Sequence, residues 1–172
     1  MQRLRAQNWA DPRPTFAHMP SGFTTLTERI YHVTEQDQIT SPLARQLLHM
    51  ACHAENIATL VDARRQNGVV LDRWWWSTVA YGWYGGSLAE SGISEAVFFE
   101  MIDAIWSGQP ADIVFLFATP YERDELNRGS VREGYARLVE RHGPITVEVP
   151  RGTPEETTDF LMSRLGDFGL VE

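Results

Sequence analysis

Apolar residues in this 172-residue chain fall into short continuous runs separated by longer amphipathic stretches, the alternation expected of strands linked by helices. Thr15-Phe16-Ala17, closed by Pro20-Ser21-Gly22, predicts a strand running into a loop, and a helix follows over Thr25 to Val33. Ser41-Pro42 starts a long helix, because serine caps well and proline suits the first helical position. Asn67-Gly68 ends it, and Leu43, Leu47, Ala51, Ala54, Ala58 and Val61 form an apolar stripe along it. Val69-Val70-Leu71 reads as a short buried strand. An aromatic helix from Ser77 to Leu88 and another from Ser94 to Trp106 come next; in the latter, Phe98, Phe99, Ile102 and Trp106 have core or interface spacing. Ile113 to Phe117 is the clearest strand, continuous and apolar as strands covered on both faces are. Helices over Tyr121 to Asn127 and Val131 to Arg141, a fourth strand from Ile145 to Val149, and a helix capped by Thr153-Pro154-Glu155-Glu156 complete the pattern. Alternating strands and helices imply a three-layer α/β/α fold on a parallel sheet, in one domain spanning residues 1–172.

Composition narrows the function classes. The net charge of −8 argues against a protein built to hold a nucleic-acid polymer. One cysteine, Cys52, excludes an internal disulfide framework, and no apolar run reaches membrane-spanning length, so the expected location is the cytoplasm. Cys52 itself reads as a small buried residue. All 15 basic side chains are arginine, with no lysine. Any phosphate here must be held by guanidinium groups, backbone N–H groups or a metal.

That restriction focuses attention on "DRWWWSTVAY", residues 72–81. Asp72 and Arg73 close the strand Val69-Val70-Leu71, and ligands collect at the carboxyl ends of parallel strands. A carboxylate there can orient Mg²⁺ or its waters while a guanidinium forks onto phosphate oxygens; a solvated ion pair is the simpler alternative. The tryptophans fit a helix core better than a ligand platform. His49 and His53 stand four apart on one helix, a zinc-compatible spacing without an evident third ligand; two histidines facing a cleft or solvent are the simpler account. The Glu122-Arg123-Asp124-Glu125 run reads as a solvated helix face.

The same segment resembles the Asp-Arg-aromatic motif of thymidylate kinases, which is followed by Ser-x-x-Ala-aromatic. "FAHMPSGFTTLTERI" is similar to that family's Phe-x-Arg-x-Pro-Gly-Gly-Thr loop and helix, "SPLARQLLHMACHAENI" to its Ser-Pro helix, and "DIVFLFATPYERDELNR" to the strand and helix leading to its lid. "VREGYARLVERHGPITVEVPRGTPEETTDFL" is similar to its closing helix, strand and helix, so the likeness runs in order through nearly the whole chain. It implies transfer of the terminal phosphoryl of ATP to a nucleoside monophosphate with Mg²⁺, a reaction that depends on positioning and charge stabilisation. Carried over by position, Asp72 organises magnesium, Arg73 bridges the phosphoryl groups, and Arg128 falls where lid arginines begin. Phe16, His18, His49, His53, Ser77 and Tyr81 face the acceptor, and Arg151 lies on the ATP side. A homodimer paired through helices is also implied.

The departures matter as much. His49 stands where the family stacks a phenylalanine on the base, His53 where an arginine reads it, and His18 where an arginine binds the monophosphate; an imidazole is no permanent guanidinium fork. The lid is short. The phosphate loop Gly-x-x-x-x-Gly-Lys-Ser/Thr is not in the sequence, and "MQRLRAQ" resembles the helix that follows that loop. Two expectations stand: a strand and loop lie upstream of Met1, or the chain is a catalytically silent remnant with a nucleotide-binding or regulatory role. In either case the sequence as written should phosphorylate poorly.

Overall fold

The computed structural model describes residues 1–117 and 129–171. In chain order the elements are α1 (Gln2–Arg5), β1 (Thr15–His18), α2 (Thr25–Gln36), α3 (Pro42–Asn67), β2 (Val69–Asp72), α4 (Trp75–Val79), α5 (Glu95–Trp106), β3 (Val114–Leu116), α6 (Gly129–His142), β4 (Thr146–Glu148) and α7 (Pro154–Gly166). The helix expected over Tyr121 to Asn127, with its charged run, lies outside the described residues. No described helix is long and apolar enough to cross a membrane.

Helix starts follow local chemistry. Ser41 Oγ accepts the Ala44 N–H and Thr153 forms a reciprocal capping box with Glu156, each satisfying an N–H that the first turn leaves unpaired. Gly68, at φ 76°, ends α3. The aromatic helix is shorter than its sequence suggests. α4 stops at Val79, and a single wider turn, closed by the Gly85 N–H on the Ala80 carbonyl at 2.8 Å, carries Ala80–Tyr84. That turn packs against α6: a β-carbon on Gly134 would sit 2.6 Å from the Tyr84 ring.

All the strands pair in parallel, as expected, but in two separate ribbons. β1 pairs with β2 in the register Thr15↔Val69 to His18↔Asp72, and β3 pairs with β4 from Val114↔Thr146 to Leu116↔Glu148. Within the described residues no ladder joins β2 to β3. All residues of β2 and β3 are half-buried, where the sequence predicts strands covered on both faces.

Trp75, Trp76, Phe98, Ile102 and Trp106 form the centre of one apolar cluster, so the tryptophans are core. Each such side chain contributes about 1.5–3 kcal/mol on burial. The stripe on α3 is reversed. Leu47, Ala51, Ala54 and Ala58 are exposed, and the buried face instead carries Gln46, Met50, Cys52, His53, Asn56 and Leu60. Two interleaved stripes share the helical period, and the polar members of the inner one conceal it. α2 repeats the inversion, burying Thr27 and Thr34 while Leu26 and Val33 stay open.

The reason is a polar knot under the loop after β1. Asn56, fully buried, donates to the Pro20 carbonyl at 2.9 Å and accepts the Phe23 N–H at 3.0 Å and the Thr27 hydroxyl at 3.3 Å. Gly22 sits over it at φ 61°, where a β-carbon would lie 2.0 Å from the Asn56 amide nitrogen. Only glycine fits that turn.

Candidate functional site

Asp72 ends β2, and Arg73 turns the chain out of the strand at φ 70°, the only described non-glycine residue at positive φ. That backbone region costs a residue with a β-carbon about 1–2 kcal/mol, and strain of this kind persists where a side chain must be placed. The Arg73 guanidinium lies 5.5 Å over the Tyr81 ring. Tyr81 meets Tyr135 edge-on at 6.3 Å, and the Tyr135 hydroxyl is 2.9 Å from Ser77 Oγ. Asp72, Arg73, Ser77, Tyr81 and Tyr135 line one cavity of about 1030 Å³.

On the neighbouring strand, the register sets His18 opposite Asp72. His18 Nδ1 shares a hydrogen bond with Ser21 Oγ at 3.0 Å. Its ring meets Tyr31 at 5.5 Å, and Tyr31 meets His49 at 6.2 Å. A carboxylate, a guanidinium, hydroxyls and imidazoles therefore converge at the carboxyl ends of a parallel ribbon.

This arrangement sits on a backbone that superposes on thymidylate kinase from Ehrlichia chaffeensis with a TM-score of 0.71, at 19% identity, covering 90% of this chain and 81% of that one. A probable thymidylate kinase of Methanococcoides burtonii is 27% identical over 158 aligned residues, covering 80% of this chain and 76% of the relative. The chain is thymidylate-kinase-like. No family model matches it.

Of the residues singled out in the sequence, this thymidylate-kinase-like chain brings Asp72, Arg73, Ser77 and Tyr81 together, with His18 beside them and His49 linked through Tyr31. It does not bring Phe16, which packs edge-on to Trp9 at 5.3 Å under the guanidinium groups of Arg5 and Arg13. His53 faces neither cleft nor solvent. It is fully buried, its Nε2 2.7 Å from Thr78 Oγ1 and its ring 5.4 Å from Trp106. Arg151, exposed after β4, does not line the cavity, and Arg128 lies outside the described residues.

Tyr31 and Tyr135 are the members that sequence reasoning missed. Tyr135 sits between Val131 and Leu138 at core spacing and so reads as packing, and nothing in the sequence marks Tyr31. No three histidine, cysteine, aspartate or glutamate side chains among the described residues cluster as a metal site. Mg²⁺ held by one carboxylate and phosphate oxygens needs no such cluster, so Asp72 fits that ion.

Burial sets the protonation of the imidazoles. It lowers His18 and His49 from the usual 6.5, against opposing effects of Asp72 and Glu35 respectively, and burial followed by the neighbouring His49 pushes His53 down to about 3. Burial also raises the Cys52 thiol to about 11, leaving it inert. A histidine depressed in the folded state stabilises fully above the unfolded value near 6.5, and that stability is lost as pH falls toward the folded value. The slope reaches about 1.4 kcal/mol per pH unit for one such group. The urea midpoint should therefore drop steadily between pH 7 and pH 4.5, and His53→Gln should flatten the drop. A midpoint rising on acidification would contradict the assignment.

Proposed function

We propose that the chain is a kinase-like phosphotransferase whose acceptor is a nucleoside monophosphate and whose donor is ATP with Mg²⁺. The observation that carries this reading is the Asp72–Arg73 pair on the cavity wall, with Arg73 held in a strained backbone conformation. Arg73 would fork onto phosphate oxygens, a charge-assisted contact for which its planar head is suited. Asp72 would hold Mg²⁺ or its waters, the ion supplying charge neutralisation between donor and acceptor phosphates. Ser77, Tyr81 and Tyr135 would bracket the nucleoside with two rings and two hydroxyls. Buried and engaged with Thr78, His53 reads no base, so thymine recognition by a guanidinium is not part of this proposal.

With no lysine in the sequence, the donor phosphates would rely on arginine, backbone N–H groups and Mg²⁺, and turnover by this sequence is expected to be impaired. The same observation favours the alternative role, a nucleotide-binding or regulatory protein on a kinase fold. Calorimetric titration separates these readings from neither being right. Deoxynucleoside monophosphates should bind and the matching unphosphorylated nucleosides should not; equal binding of both, or none of either, would refute the phosphate site.

We also propose a homodimer. The outward face of α3 carries Leu47, 45% exposed, with Ala51, Ala54 and Ala58, and α2 carries Leu26 and Val33, 50% and 43% exposed. Apolar rows of this kind mark association surfaces. Light scattering should give twice the monomer mass, and Leu47→Arg should halve it. A wild-type chain that scatters as a monomer would refute the interface.

A further inference from the structure

One face of α3 carries the polar side chains Gln46, His49, His53 and Asn56 at successive spacings of three and four, which makes them neighbours along the helix. The two nearer the C-terminus are answered inside the fold, Asn56 by the Pro20 carbonyl and the Phe23 N–H, and His53 Nε2 by Thr78 Oγ1. The two nearer the N-terminus are not. Gln46 is 6% exposed, yet its Nε2 has no acceptor among the described residues, and His49 Nε2, equally closed off from water, has no partner there either. Buried polar atoms ordinarily have one.

Their surroundings set them beside the phosphate site. The Gln46 amide is seated against Gly82, where a β-carbon would lie 2.2 Å from Oε1 and 3.3 Å from Nε2. Any side chain at position 82 would displace the amide. Gly82 directly follows Tyr81, whose ring lies under the Arg73 guanidinium and lines the cavity. His49 meets Tyr31, and Tyr31 meets His18 opposite Asp72. Burial first, with Arg45 and Arg73 adding to it against Glu35, holds His49 below its usual 6.5. A neutral imidazole can donate or accept, so His49 does not choose between partners. The Gln46 nitrogen does: an amide N–H only donates, and the partner it lacks is an acceptor.

We propose that Gln46 reads the base of the acceptor nucleotide, donating from Nε2 to a keto oxygen of the nucleobase, and that Gly82 leaves the room its amide needs. The inference rests on the phosphotransferase reading for the nucleotide and adds the class of base, one with a carbonyl on the edge facing α3. A base with an amino group on that edge would set donor against donor and leave both unpaired, the circumstance in which a polar site rejects an analogue most strongly.

The test compares deoxyuridine and deoxycytidine monophosphates, which share sugar, phosphate and ring outline and differ on that edge by a carbonyl against an amino group. In titration calorimetry the chain should favour the uridine nucleotide by about tenfold or more. Gln46→Leu should bring the ratio close to one. Should that variant fail to fold, Gly82→Ala, which keeps Gln46 in the sequence but pushes its amide aside, should level the two nucleotides in the same way. The ratio is the readout because a purely structural role for Gln46 would weaken both nucleotides alike. Equal binding of both by the unsubstituted chain would overturn the assignment of Gln46 and leave the phosphate site standing. So would a preference that survives Gln46→Leu or Gly82→Ala, with a bound water then the partner of the Gln46 nitrogen. Binding of neither nucleotide would overturn this inference together with the reading it rests on.

Discussion

Replacing Arg73 with alanine is expected to weaken binding of a nucleoside monophosphate by about ten- to a hundredfold, the scale of one lost charge-assisted contact of about 1.5–3 kcal/mol. Glycine at the same position should weaken binding equally, yet the two variants should differ in stability. At φ 70° alanine keeps the left-handed strain and glycine removes it, so Arg73→Gly should unfold at higher urea than Arg73→Ala, by about 1 kcal/mol after allowing for the greater freedom of unfolded glycine. Both variants lose the contact over Tyr81, which therefore cancels in the comparison. Titration calorimetry and urea unfolding read the two effects separately. Undiminished binding in either variant would remove Arg73 from the site, and an alanine variant as stable as the glycine one would remove the strain argument.

The largest stability effect is expected at Asn56. Asn56→Ala leaves the Phe23 N–H and the Pro20 carbonyl without partners in a buried setting and opens space beneath Gly22, at a cost of about 3–4 kcal/mol. Asn56→Leu keeps the branched outline and fills the space but loses the same hydrogen bonds and presses on Gly22, so it should recover at most the cavity part of that cost. Since Asn56 anchors the loop that directly follows His18, proteolytic cleavage between Met19 and Phe23 should accelerate in both variants. A loss below about 1 kcal/mol in Asn56→Ala would mean that water replaces the amide there without penalty.

Helix starts are legible in the sequence because capping is local: Ser41, Ser94 and Thr153 each accept an N–H three residues on, and no distant contact is needed. Strand positions are legible for a similar reason, since Val69-Val70-Leu71 and Val114-Phe115-Leu116 are apolar without interruption. Asp72, Arg73, Ser77 and Tyr81 come within reach of one another because one strand end and the following helix carry them all. What the sequence conceals depends on partners far along the chain. Which of two stripes on α3 faces inward is decided by Asn56 meeting Pro20 and Phe23. His53 is drawn into the core by Thr78, 25 residues away, and Tyr135 joins the site through Ser77, 58 residues away. The wider turn after α4 is likewise packed against a distant element, Tyr84 meeting Gly134 of α6, 50 residues on.

One contact joins the cavity walls like a clasp: the hydroxyls of Ser77 and Tyr135. A guest that takes the place of the Tyr135 hydroxyl on the serine unfastens it, and that phenol rests edge-on against the ring beneath the Arg73 guanidinium. Whatever such a guest does to the grip of Arg73 on an anion, the anion must do to the guest in equal measure, because linked binding free energies are reciprocal. Sugar and phosphate of a single nucleotide would then be coupled contacts rather than independent ones, and the sum of the two fragments would differ from the whole by that coupling.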